Sequence, residues 1–335
     1  MRSVFGDQIL PLRTDDDVKR LRRKGIKLRD FDGPNSIQNE RLLYESGSET
    51  LLRNVLELLP KNASSIERVG RASKQSMDVL LDVIFHAKEN LTCFEPAPTE
   101  QIQTFVKLLF ESALFQTAFP IVSPVCPDYG ESGYRLKDGL SETAKRSIDA
   151  FTSYQKLFTK HGVTPKLTIH LADVEATDPT VLTATGETTE SFTAKLQGTH
   201  ESIQDYIEKK GLTDQVSVTS MLAFCEEQGI EYGAMIVEST DRILTANEKK
   251  IRSVYSRLLA DRMGINEYAG ITQVSPEFMA ANELAGYSVY GTAVNASAFI
   301  ASPDAKSAVP AYNFFQDRNN MNATAYVKRE KGQRI

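Results

Sequence analysis

Ser123, Cys126, Asp128 and Tyr129 fall within "PIVSPVCPDYGESGY", where a short apolar run of strand character passes into a polar, glycine-bearing loop. A second cluster follows another apolar run: "KLTIHLADVEATD" sets Asp173, Glu175 and Asp178 just beyond it. Carboxylates so placed can hold a divalent cation through oxygen, receive a substrate's ammonium or hydroxyl groups, or cap the next helix. We take Asp128, Asp173 and Glu175 as the candidate catalytic residues. Asp128 and Tyr129 can orient a polar substrate, Tyr129 also through its ring face, and Asp178 assists as a base or ligand.

Cys126 sits in a Pro-Val-Cys-Pro context, and no histidine is tied to it by a local motif. A nucleophilic thiol needs a base or a helix terminus to lower its pKa, so a packing or substrate-binding role is the better expectation. The stretch "YGESGYRLKDGLSETAKR" could wrap an anion at the start of a helix capped by Ser141, with Arg135 neutralising charge. It matches neither the dinucleotide fingerprint nor the P-loop. Further along, "NELAGYSVYGTAVNA" puts Glu283, Tyr287 and Tyr290 on one helical face, as core packing or as a pocket wall with polar tips. Lys306, in "SPDAKSAVP", could reach a phosphate or carboxylate. With Ser123, Cys126, Tyr129, Arg135 and Asp178, these residues complete the expected binding set.

These side chains need a scaffold that brings distant loops together. Short apolar runs at 118–123, 166–173 and 216–221 alternate with helical patterns from Ser141 onward and around Phe192, Leu196 and Ile203. Strands separated by helices of that length predict a mainly parallel sheet, because parallel neighbours require crossover connections. The expected fold class is α/β: a Rossmann-like sheet with helices on both faces, preceded by an N-terminal helical region. The expected organisation is an arm over 1–47, a helical region over 48–116, the α/β domain over 117–317 and a polar basic tail over 318–335. Thr245 to Glu248 reads as a capping box opening a helix, and Ser275-Pro276-Glu277 as the start of another. In such sheets ligands bind beyond the carboxyl ends of the strands, so the two polar loops would meet there.

The segment "LTIHLADVEA" resembles the strand and turn of the nucleotide-binding domain in tyrosyl- and tryptophanyl-tRNA synthetases, and "DAKSA" resembles their mobile lysine-serine loop. The likeness covers about fifteen residues and implies the same sheet architecture. Where those enzymes carry a histidine-rich nucleotide motif, this chain has "KDGLSET", so the resemblance implies that architecture without their ATP activation.

Bulk composition narrows the function classes. The 39 basic and 44 acidic residues give a formal charge of −5, which offers no strong nucleic-acid signal over the whole molecule. Seven Lys or Arg lie between Lys19 and Arg29, but flanking acids and interspersed apolar residues favour a docked or solvated segment. No apolar run is long enough to cross a bilayer, and three scattered cysteines argue against a disulfide framework and a structural zinc site; a cytoplasmic protein with no membrane partner is expected. The leading expectation is a small-molecule transferase acting on an amino acid or a phosphorylated or activated polar metabolite. Its rivals are an ATP-dependent ligase or adenylating enzyme and a non-catalytic ligand- or RNA-binding protein. No motif names a cofactor; a divalent cation held by the carboxylates is the one candidate.

Overall fold

The computed structural model describes residues 68–76, 78–79, 92–93, 99–128, 136–178, 181–182, 185–245, 275–294, 298–301 and 323–327. Within them, six strands form one sheet: β1 (Thr92–Cys93), β2 (Phe119–Val125), β3 (Pro165–Leu171), β4 (Val216–Ser220), β5 (Ala298–Ala301) and β6 (Ala323–Val327), in spatial order β1-β6-β5-β2-β3-β4. All neighbours are parallel except β1 and β6. The helices are α1 (Thr99–Phe115), α2 (Glu142–Thr159), α3 (Thr189–Lys209), α4 (Met221–Glu227), α5 (Tyr232–Thr245) and α6 (Pro276–Val294), with a 3-10 turn at Asp173–Thr177.

The register aligns one face of the central strands. Ile121 pairs with Leu167, Ser123 with Ile169, and Val125 with Leu171, so one face of β2 and β3 presents a matched apolar row. Phe119, Ile121, Val125, Leu167, Ile169, Leu171, Val216 and Ile300 pack there with side chains of α1, α2 and α3. Phe105, Phe119 and Phe158 meet at its heart, with ring centroids 5.3 Å apart for the first pair and 4.9 Å for the last two. Burial of each such side chain contributes roughly 1.5–3 kcal/mol. The opposite face is also covered: His170 of β3 lies against Phe224 of α4 and Tyr290 of α6. That second face of β3 carries Lys166, Thr168 and His170, so the strand still alternates between apolar and polar residues.

Local chemistry sets several helix starts. Ser141 caps α2 by accepting from the Ala144 N–H, and Ala144, Ile148, Phe151 and Phe158 are buried along its inner side, as their spacing predicts. Thr188 and Ser191 bond reciprocally at the start of α3, which buries Phe192, Leu196 and Ile203. The Ser275 hydroxyl accepts from the Phe278 N–H at the start of α6.

Two details differ from the sequence reading. Thr245, read as the first residue of a capping box, lies within α5, where its hydroxyl donates to the Asp241 carbonyl at 2.9 Å. Residues 246–274 lie outside the described residues. The stretch read as a basic tail contains β6, whose "ATAYV" pairs in parallel with β5. Strand pairing supplies partners for its backbone groups, which a reading weighted by the surrounding charges does not anticipate.

From β2 the chain steps outward to β3 and then β4, with α2 and α3 on one face. It then returns through α4, α5 and α6 to place β5 on the other side of β2. The carboxyl ends of β2, β3 and β4 therefore share one edge of the molecule, and the change of direction lies between β2 and β5. Among the described residues, no helix is long and apolar enough to cross a membrane.

Candidate functional site

The loops that leave β2 and β3 stay together at the carboxyl edge: the Ala172 N–H donates to the Val125 carbonyl at 2.9 Å, immediately before the first acid of "DVEATD". Asp128 and Asp173 thus emerge from the same end of adjacent strands. Each is engaged with a helix start. Asp128 accepts from the Glu142 N–H at 2.6 Å and from the Ser141 hydroxyl at 3.3 Å, and its own carbonyl accepts from the Lys137 N–H at 2.8 Å. Asp173 accepts from the Leu222 N–H at 2.9 Å and from the Ser220 hydroxyl, tying the turn after β3 to α4. Carboxylates satisfy the orphan amides of α2 and α4 in this way.

The remaining acids surround an aromatic residue that the sequence reading did not single out. Tyr232, at the first position of α5, lies within electrostatic reach of Glu283, Cys225, Glu175 and Cys126. Cys126 comes from the end of β2, Glu175 from the turn after β3, Cys225 from α4 and Glu283 from α6. Cys126, Glu175, Tyr232 and Glu283 each keep part of their surface exposed. Burial, and then the neighbouring charges with Glu283 foremost, push the Tyr232 phenol well above its ordinary value. The phenol therefore stays protonated at neutral pH. A close approach to α6 holds it in place: a Cβ on Gly286 would stand 2.9 Å from the Tyr232 oxygen.

Beneath this cluster lies a second polar contact. His170 is buried, stacks on Phe224 at 4.2 Å between centroids, and is hydrogen-bonded through Nδ1 to the Tyr290 hydroxyl at 2.6 Å. Burial pushes its pKa down to about 4, so the imidazole is neutral near pH 7. Tyr290 is fully enclosed and its phenol is held well above the ordinary value by that burial. Cys225, also buried, has its thiol pushed up to about 11 by burial and then by the charge of Asp173. It is a packing thiol at neutral pH.

Of the residues expected to form the site, Cys126, Glu175 and Glu283 lie within electrostatic reach of Tyr232, and Asp173 within reach of Cys225. Tyr290 faces His170 in the interior, while Tyr287, one turn after Glu283, remains partly exposed. Ser123 points the other way: it is buried under α2, where its hydroxyl donates to that of Ser147 at 2.8 Å. Asp178 ends the 3-10 turn, where its N–H donates to the Glu175 carbonyl and its carbonyl accepts from the Leu182 N–H. Tyr129, Arg135 and Lys306 lie outside the described residues. Among the described residues, no three His, Cys, Asp or Glu side chains converge as metal ligands.

The cluster around Tyr232 can present two carboxylates and a protonated phenol to a solute entering from the carboxyl edge. Their electrostatic preference is for a cationic or hydrogen-bonding group. His170 was legible only as a strand residue, and Tyr232 carries no motif. The one local signal that could have found the latter is the glycine inside "ELAGYSVY", a position where a helix gains from alanine unless another group must come close.

No protein-family model matches the chain, and no curated protein matches it. Among solved structures, the chain is similar to the PvcA protein from Pseudomonas aeruginosa, with 14% sequence identity and a TM-score of 0.37, over 84% of this chain and 82% of that one.

Proposed function

We propose that this chain is a small-molecule enzyme of transferase type, built on a Rossmann-like sheet, whose substrate carries an amino group. The observation that carries the reading is the gathering of Glu175, Glu283 and Cys126 about Tyr232 at the carboxyl edge of the parallel strands. In open parallel sheets this edge is where ligands bind, near the point at which the strand order reverses. Two carboxylates with a phenol O–H suit an ammonium and an adjacent polar oxygen, and they oppose a phosphate in the same place. Among the expected substrates, that arrangement favours the amino acid over the phosphorylated metabolite.

In this reading Glu175 and Glu283 receive the ammonium and Tyr232 donates to a substrate oxygen. Asp128 and Asp173 hold the starts of α2 and α4, which frame the cleft. Glu175 is assigned the proton of the substrate amine in this reading.

The test is a calorimetric and thermal-shift screen of free amino acids against their N-acetylated and α-keto counterparts. Glu175→Gln and Glu283→Gln are compared with the wild-type protein. Binding of an amino acid should raise the melting temperature, and each variant should weaken it by about tenfold or more, the size of one charge-assisted hydrogen bond. Equal binding of the N-acetylated compound, or binding undiminished in both variants, would remove the amine from the proposal.

A further inference from the structure

At the opposite edge of the sheet, where the chain enters β2 and β3, a cavity of about 270 Å³ is lined by Arg68, Arg71, Gln75, Ser112, Gln116 and Thr164, among others. Three separate segments build it: helical residues 68–76, the end of α1, and the turn between α2 and β3. Among the described residues, no Asp or Glu lines it. Arg68 donates to the Leu114 carbonyl at 3.2 Å, which fixes its guanidinium against the end of α1 while leaving other N–H groups available. Asp78, one turn beyond Gln75, is directed instead to His161, whose Nδ1 is 3.9 Å away.

The lining is shaped for close approach. Gly162 has φ of 74°, and a Cβ there would stand 2.9 Å from Nε2 of Gln75. Gln116 has φ of 55°, the left-handed region that a non-glycine residue seldom occupies. Two arginines, two glutamines and neighbouring hydroxyl residues therefore line a space of small-metabolite size, with no counter-charge among the described residues of its wall. Guanidinium pairs recognise tetrahedral oxyanions through forked donors, and the amides and hydroxyls match the remaining oxygens.

From this geometry we infer a second binding site, for a phosphate group, either free or as the ester of a compact metabolite. It lies at the amino edge of the sheet, remote from the cluster around Tyr232. A bound phosphate ties helical residues 68–76 to the end of α1 and to the turn before β3.

The experiment titrates the full chain with inorganic phosphate and with glycerol 3-phosphate at constant ionic strength, following melting temperature and heat. Saturable binding is expected, with a tighter constant for glycerol 3-phosphate if the site takes an ester and an equal or weaker one if it takes phosphate itself. Arg71→Gln removes an exposed side chain and should weaken phosphate about tenfold or more while leaving amino-acid binding at the carboxyl edge unchanged. Lys74→Gln, on the same helical segment but outside the lining, should leave phosphate binding as it was. Absence of saturable binding overturns the inference, and so does an equal loss in Lys74→Gln and Arg71→Gln, which would mark diffuse attraction to a basic surface.

Discussion

Nδ1 of His170 lies 2.6 Å from the phenol oxygen of Tyr290, although 120 positions separate the two residues. The contact joins the carboxyl-end part of β3 to α6. Because burial holds His170 at a pKa of about 4, against about 6.5 unfolded, the unfolded chain binds the extra proton between those values. Stability is therefore full above about pH 6.5 and falls as pH drops towards 4, by about 3 kcal/mol in total from this group. Urea denaturation at pH 7.5 and pH 5 should show about 2 kcal/mol of that loss, and His170→Asn should flatten this part of the profile while lowering stability at neutral pH.

Tyr290→Phe leaves the His170 nitrogen without its buried partner. A cost of about 1–3 kcal/mol is expected, the penalty for an unsatisfied buried polar group. A change within experimental error in the urea midpoint would mean that the contact adds nothing net.

Asp128→Ala and Asp173→Ala should each lower stability by about 0.5–2 kcal/mol, because each removes the acceptor at a helix start. Amide hydrogen exchange locates the effect: faster exchange at the start of α2 for Asp128→Ala and at Leu222 for Asp173→Ala. If Asp173→Ala instead abolished ligand binding with no change in stability or exchange, its part would be direct contact with the ligand.

Gly286→Ala should reverse sign with its background. Inside a helix the change ordinarily gains about 0.5–1 kcal/mol, but here the new methyl would meet the Tyr232 oxygen at 2.9 Å. Loss of stability is expected in the wild-type chain, and neutrality or gain in Tyr232→Phe, where the clashing oxygen is gone. The double-mutant cycle measures that coupling directly.

The cysteines should separate by reactivity. Cys225 is buried with its thiol raised to about 11, whereas Cys126 is partly exposed. With iodoacetamide at pH 8, peptide mass spectrometry should find Cys126 modified in the folded protein and Cys225 modified only after denaturant is added. Modification of Cys225 at the rate of Cys126 would contradict the enclosed position of its sulfur.

Much of the scaffold is readable from local pattern. The spacing of Ala144, Ile148, Phe151 and Phe158 needs only the helical period and an apolar partner. In "FPIVSPV" and "PKLTIHL" one face is apolar apart from Ser123, while Lys166, Thr168 and His170 take the other face of the second strand. The placement of polar loops beyond those strands follows from chain direction, so Glu175 and Cys126 could be named before any tertiary contact was known. β6 is the counterexample. Five residues inside a basic segment become a strand because β5 offers an edge, and pairing across the sheet is not encoded in a five-residue window.

What the chain's sequence determined by itself is the rhythm of elements and the polar character of their carboxyl-end loops, because both depend on residues within a few positions of one another. Only the tertiary structure decided which acids serve helix starts, since a carboxylate's role depends on the donors that reach it. Asp128 and Asp173 meet the amides of α2 and α4, while Glu175 and Glu283 come within electrostatic reach of Tyr232. The same holds for His170, an unremarked strand residue until α6 brings Tyr290 across 120 positions to enclose it. Burial is a property of the packed chain, and burial is what keeps that imidazole neutral and that phenol protonated.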